Sequence, residues 1–254
     1  MKRFITLLKH QIWLMTISSS TYFAAFLFLS FMAVVFLLSI HDVSLSLGKQ
    51  SVVEIFLSVF WVPVLFMVPL LTMRTISDEL RRGTLGSLMS TRVSAWQIVV
   101  SKFLACYLFY VLIWLCTLSF LAITLWYLPQ VKAKDLFEPA QLITGYVFIC
   151  LTGFLYVAIG VFASSLTRTT LVAGMLSFSM LFFLIVGAGI VNKIPLADDS
   201  TIGAVVSATE YLHTFRQLDD FNSSVMDTRA FFFYISSSIM LLAFTSLITE
   251  SKNR

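Results

Sequence analysis

Residues able to do chemistry are scarce in this sequence, and most of the charged ones near its middle crowd into one stretch. Between two long apolar runs stand Arg74, Asp78, Glu79, Arg81, Arg82 and Arg92, and Lys102 follows just inside the second run. The order Asp78-Glu79-Leu80-Arg81-Arg82 sets an acidic pair beside a basic pair, which suits either a solvated segment resting on lipid headgroups or a surface that meets a partner, where charges set register. Catalysis is a poorer fit. His10, His41 and His213 all lie outside the apolar runs, which leaves an intramembrane protease without its base. His213 has no second ligand at metal spacing. Cys106, Cys116 and Cys150 sit within apolar runs, with neither metal spacing nor an even count, and read as small apolar side chains. No G-x-x-x-x-G-K-[ST] loop occurs, so the chain is not expected to be an enzyme that hydrolyses ATP through a Walker-type cradle.

The elements that must position these charges are membrane spans. Hydrophobic residues make up 59% of the chain and charged residues 12%, with a mean hydropathy of +0.93. Soluble domains are about half apolar and a quarter charged. Tyr22 to Ile40, Val52 to Met73, Ile98 to Leu128, Leu142 to Leu166, Leu171 to Val191 and Phe231 to Thr249 each reach the roughly 20 residues a helical crossing needs. Such runs must be helical, because lipid offers the backbone no hydrogen-bond partner. The expected fold is therefore all-α and polytopic, with six transmembrane helices in one membrane domain over residues 20–254. Lys2 and Arg3 precede an apolar run as in a signal peptide, but no small-residue cleavage pattern follows, and the start is expected to be retained.

The net charge of +4 takes its meaning from its distribution. With the amino terminus in the cytosol, the cytosolic segments hold Lys2, Arg3, Lys9, Arg74, Arg81, Arg82, Arg92, Lys102, Arg168, Lys252 and Arg254, which leaves six of the seventeen Lys and Arg outside. That bias satisfies the positive-inside rule and puts both termini in the cytosol. Membrane lipid, not nucleic acid, is the partner implied. The spans carry no ionisable residue at mid-depth, which disfavours ion-coupled transport.

Residues 1–19 place Ile5, Leu8, Ile12 and Met15 on one helical face beside Lys2, Arg3, Lys9 and His10, as in an amphipathic helix lying in the cytosolic interface. Pro63 and Pro69 are hinge candidates in the second span, since proline removes a helix hydrogen bond and crowds the preceding turn. Helical spacing resumes from Arg74 to Ser94, where Leu80, Thr84, Leu85, Leu88 and Met89 share a face; Gly83 is a third hinge candidate. Ser94-Ala95-Trp96-Gln97 reads as a capping box that opens the next helix, whose start, with Trp96 and Lys102, is expected to project into the interface. Gly145, Gly153 and Gly160 recur close to one face of the fourth span, where small residues admit another helix. Residues 192–229 form the longest polar stretch, with Ile202, Val205, Val206, Thr209 and Leu212 at helical spacing, as in an extracellular amphipathic or re-entrant segment.

The stretch from Pro69-Leu70-Leu71-Thr72-Met73-Arg74, through Gly83-Thr84-Leu85, to Leu88-Met89-Ser90-Thr91 and Lys102 resembles the signature region of ABC-2 type transporter permeases, above all their gliding-motility and nitrous-oxide-accessory branch. Gly86 and Arg92 depart from the usual Glu and Pro of that pattern. The resemblance implies a permease subunit of an ATP-binding-cassette exporter in a bacterial inner membrane, working with a cytosolic ABC ATPase and a second permease subunit. It holds no cofactor of its own, since ATP and magnesium would lie on the ATPase. It also implies that segment 75–93 docks that ATPase, with Asp78, Glu79, Arg81 and Arg82 as electrostatic register and Leu85, Leu88 and Met89 as apolar anchors. The alternative is a non-transporting membrane anchor that recruits an ATPase to a larger envelope machine.

Overall fold

Apolar runs of membrane-spanning length leave the backbone no partner but itself, and the helices follow those runs closely. The computed structural model describes residues 2–45, 52–84, 94–127, 139–187 and 228–252. Among these, all regular structure is helical: α1 (Lys2–Ile17), α2 (Ser19–Leu45), α3 (Val52–Ser58), α4 (Trp61–Thr72), α5 (Ser77–Arg82), α6 (Ala95–Tyr127), α7 (Pro139–Leu166), α8 (Thr170–Phe182) and α9 (Thr228–Ser251). A π-helical turn, Phe183–Gly187, prolongs α8. Five of these helical stretches are long and apolar enough to cross a membrane, and the bent pair that begins with α3 and α4 makes a sixth crossing if counted as one span.

That bend is 49°. Its place follows from Pro63, which has no N–H to give to Val59 and whose ring crowds the carbonyl there. The helix breaks at Val59 and Phe60. Pro69, expected to bend the span as well, lies inside the continuous α4, and Met73 N–H still reaches the Pro69 carbonyl at 2.8 Å.

The fourth span is the hub of the bundle. In α7, 78% of the spanning window is buried, against 22–33% in the other four long helices. It packs against α9, α8, α6, α4 and α3. The glycines explain how so many neighbours fit. A β-carbon at Gly145 would lie 2.2 Å from Leu57 Cδ1, one at Gly153 2.1 Å from Tyr110 Cε1, and one at Gly160 2.3 Å from Thr72 Oγ1. The stripe thus admits three different helices, α3, α6 and α4, in place of a single partner. Above this contact Trp114 is buried among Phe28, Phe60 and Tyr146, with ring centroids at 4.9, 6.5 and 6.2 Å.

Helix α1 lies against α6 and turns into α2 at Ser18, whose hydroxyl is 2.8 Å from that of Ser20. Leu8, Ile12 and Met15 face the bundle as their spacing predicts, while Ile5, assigned to the same face, is 62% exposed. Phe4 and Leu7 share the inward side instead. At the other end of the chain, Lys252 Nζ donates to the carbonyls of Ser165 and Leu166, both at 2.8 Å, and so closes the C-terminus of α7. Burial and the neighbouring Arg168 lower its pKa from 10.5.

Candidate functional site

The acidic and basic pairs are carried on α5, a six-residue helix joined to α4 by the turn Met73–Ile76. A turn so close to a helix end leaves backbone groups without intrahelical partners, and each must find one elsewhere. Two side chains from distant spans provide them. The hydroxyl of Ser164 on α7, fully buried, accepts the N–H groups of Ile76 and Ser77, each at 3.1 Å, and donates to the Met73 carbonyl at 3.3 Å. The Ser77 hydroxyl also donates to the Met73 carbonyl. Lys102 on α6 donates to the Thr75 carbonyl at 2.5 Å and to Glu79 Oε1 at 2.7 Å.

Lys102 therefore does not project into the interface as its place at the start of α6 suggests: its side chain is 2% exposed, whereas Trp96, one turn and a half earlier, is 42% exposed. The reason is the α4–α5 turn, which brings a carbonyl and a carboxylate within reach and replaces the water that the ammonium gives up. The α6 start itself follows expectation, with Ser94 Oγ accepting the Gln97 N–H at 3.4 Å. Cys106, one turn after Lys102, directs its thiol at the Leu71 carbonyl and the Met15 sulfur, 3.9 and 3.8 Å away, so α1 is packed onto the same corner.

The residues singled out from sequence thus divide. Glu79 faces inward to Lys102. Asp78 Oδ1 lies 3.4 Å from the Arg81 guanidinium, near enough for an ion pair but without the alignment of a hydrogen bond. The Arg81 side chain is 57% exposed and Arg82 is exposed beside it. Gly83 adopts φ +69°, the left-handed conformation that ends α5, and its N–H returns to the Glu79 carbonyl. The helical spacing expected to run on through Leu80 and Thr84 is therefore interrupted at Gly83, and Thr84, beyond that left-handed residue, is again helical. Leu85, Leu88 and Met89 lie outside the described residues, as do positions 192–227 of the polar stretch before the last span.

Sequence reasoning missed Ser164 and the inward turn of Lys102. An ionisable residue in an otherwise uncharged run was the available signal for Lys102. A serine near the end of a span carries no comparable mark.

The described residues thus form a helical bundle whose short α5 turns Glu79 inward and leaves Arg81 and Arg82 exposed. Residues 13–249 match the family described as ABC-2 family transporter protein. The chain belongs to that family. No curated protein sequence matches it. As an ABC-2 family member with five or six membrane-capable helices, it is an integral membrane protein of the permease type.

Proposed function

We propose that this ABC-2 protein is the transmembrane subunit of an exporter in a bacterial inner membrane, moving its substrate by alternating access driven by a separate cytosolic ATPase. The observation that carries the reading is the anchoring of α5. It is joined to α4 by the chain, to α6 through Glu79 and Lys102, and to α7 through Ser164. A displacement of α5 is therefore felt by three spans at once, while Arg81 and Arg82 remain exposed to receive a partner. Asp78 sets the orientation of Arg81, and the segment from Leu85 to Met89 adds apolar anchors.

In this reading ATP and magnesium bind the partner, and both termini of the permease face the cytosol. A second permease subunit, identical or related, completes the pathway. The bend at Pro63 and the left-handed Gly83 lie at the two ends of the α4–α5 unit and serve as its hinges. Coupling requires that the two states of the permease interact differently with the nucleotide-bound ATPase. The run from Pro69 to Arg74 and Gly83-Thr84-Leu85 supports the gliding-motility and nitrous-oxide-accessory branch.

Co-purification of the ATPase with wild type and with R81E/R82E tests the docking surface. Loss of both complex and stimulated ATP turnover, with the membrane domain still folded, is expected. Unchanged assembly and turnover would remove α5 as the docking element. Movement of a defined substrate in vesicles separates a permease from an anchor that supports ATP turnover alone.

A further inference from the structure

Beside the α4–α5 turn, under the junction of α1 and α2, lies a cavity of about 400 Å³ whose wall carries charge of both signs. Its polar groups are incompletely matched by the protein. Among the described residues, Arg74 and Arg82 have neither ion-pair nor hydrogen-bond partners. Asp78 Oδ1 and Glu79 Oε2 are buried oxygens without a hydrogen bond. An ammonium has three donors. Lys102, 2% exposed, uses two of them, on Thr75 and Glu79. Leu14, Met15 and Leu71 supply its apolar lining, and Leu14 is itself exposed on α1, as are Trp13 and Ile17.

Arg74 and Arg82 are both exposed and have no partner among the described residues, so two guanidinium groups are free to take an anion with several acceptor oxygens in place of water. Glu79 Oε2, buried and without a hydrogen bond, and Asp78 Oδ1, held only by its 3.4 Å ion pair to Arg81, call for a cation that donates hydrogen bonds. An apolar side wall continuous with the exposed face of α1 calls for hydrocarbon. We propose that this cavity binds the headgroup of a phosphatidylethanolamine molecule from the adjoining leaflet. Its phosphate lies between Arg74 and Arg82, its primary ammonium donates to Asp78 and Glu79, and its chains run along Leu14 and Leu71. A choline headgroup has no N–H to give the carboxylates, and a glycerol headgroup has no cation. Because Glu79 also holds Lys102, the bound headgroup touches the element proposed to transmit motion. The site rests on the proposed function for which leaflet it faces, and it shares Arg82 with the proposed ATPase-docking surface.

Native mass spectrometry of the purified chain with equal amounts of phosphatidylethanolamine, phosphatidylcholine and phosphatidylglycerol reads the site without any ATPase. Its result is therefore independent of the exporter reading. Phosphatidylethanolamine should be retained over the other two by about tenfold, the factor that one charge-assisted hydrogen bond supplies. Successive N-methylation of the lipid should erode that preference stepwise in the wild type, and R74Q/R82Q should abolish it while unfolding normally in phosphatidylcholine. The methylation series needs no variant, so it decides the matter if R74Q/R82Q fails to fold. Equal retention of ethanolamine and choline lipids would overturn the proposal, leaving water or adventitious amphiphile in the cavity. Preference for phosphatidylglycerol would overturn it in favour of a purely anionic ligand. Displacement of the lipid by free phosphoethanolamine or inorganic phosphate at matching concentration would overturn the lipid source.

Discussion

Replacing Lys102 by methionine keeps most of the side-chain volume and removes the ammonium that joins α6 to the α4–α5 turn. Glu79 Oε1 and the Thr75 carbonyl then lose donors at 2.7 and 2.5 Å. Removing one partner of a fully buried ion pair costs about 3–5 kcal/mol. Glu79 is 18% exposed and borders a cavity that water can enter, so part of that cost is relieved. We therefore expect a loss of about 2–3 kcal/mol, which in a chain of this size lowers the midpoint of thermal unfolding by about 4–12 °C. Lys102 is the more deeply buried partner, so E79Q, which leaves the ammonium facing a neutral amide, should be destabilised to a comparable degree. The double variant K102M/E79L removes both charges and should lie closer to wild type than either single change, with a coupling energy of about 1–3 kcal/mol. Thermal unfolding of the four proteins in one detergent measures this, and ATPase-stimulated turnover of the assembled complex reads whether the link transmits motion. Additive losses across the cycle, or K102M unfolding within about 0.5 kcal/mol of wild type, would refute the claim that this pair fastens the turn.

The glycines of α7 give a second expectation. G153A and G160A set a methyl group 2.1 and 2.3 Å from Tyr110 and Thr72, and overpacking of this kind costs about 1–3 kcal/mol. G174A on α8, whose β-carbon meets Met73 Sδ at an ordinary 3.5 Å, should unfold like wild type in the same scan. S164A strands the N–H groups of Ile76 and Ser77, each stranded donor costing about 1–3 kcal/mol before relaxation. Amide exchange from Ile76 to Leu80 should accelerate by about tenfold or more, and unchanged protection there would mean that Ser164 does not hold the turn. G83A should cost about 1–2 kcal/mol, because φ is +69° while nothing lies within 4 Å of the added carbon. G83N should recover part of that loss, since asparagine tolerates the left-handed region better than alanine.

Membrane residence, the helical character of the crossings and the starts of most helices were legible because each depends on a run of neighbouring residues. The length of an apolar stretch is local, as is the effect of Ser94 on the three residues after it. Pro63 acts on a carbonyl four positions back, so a break near Val59 could be read from spacing alone. Pro69 was misread as an equal bend because proline states only that one hydrogen bond is absent; whether the helix gives way there depends on what packs around it. The glycine stripe on α7 announced close approach but not its partners, which are three helices instead of one.

The corner around α5 was hidden for the same reason. Charge pattern set this segment apart from the spans, and Arg81 and Arg82 stand exposed. The spacing of apolar residues did not reveal that α5 stops at Gly83, since periodicity carries no record of a single left-handed residue. Nor did it show that Glu79 turns to a lysine 23 positions away, or that Ser164 caps backbone 87 and 88 positions away. The sequence by itself determined that this chain lives in a membrane as a set of helices with a charged segment between two spans. Tertiary structure alone decided which helices enclose that segment, because an ammonium or a hydroxyl takes whatever partner packing brings within hydrogen-bond distance.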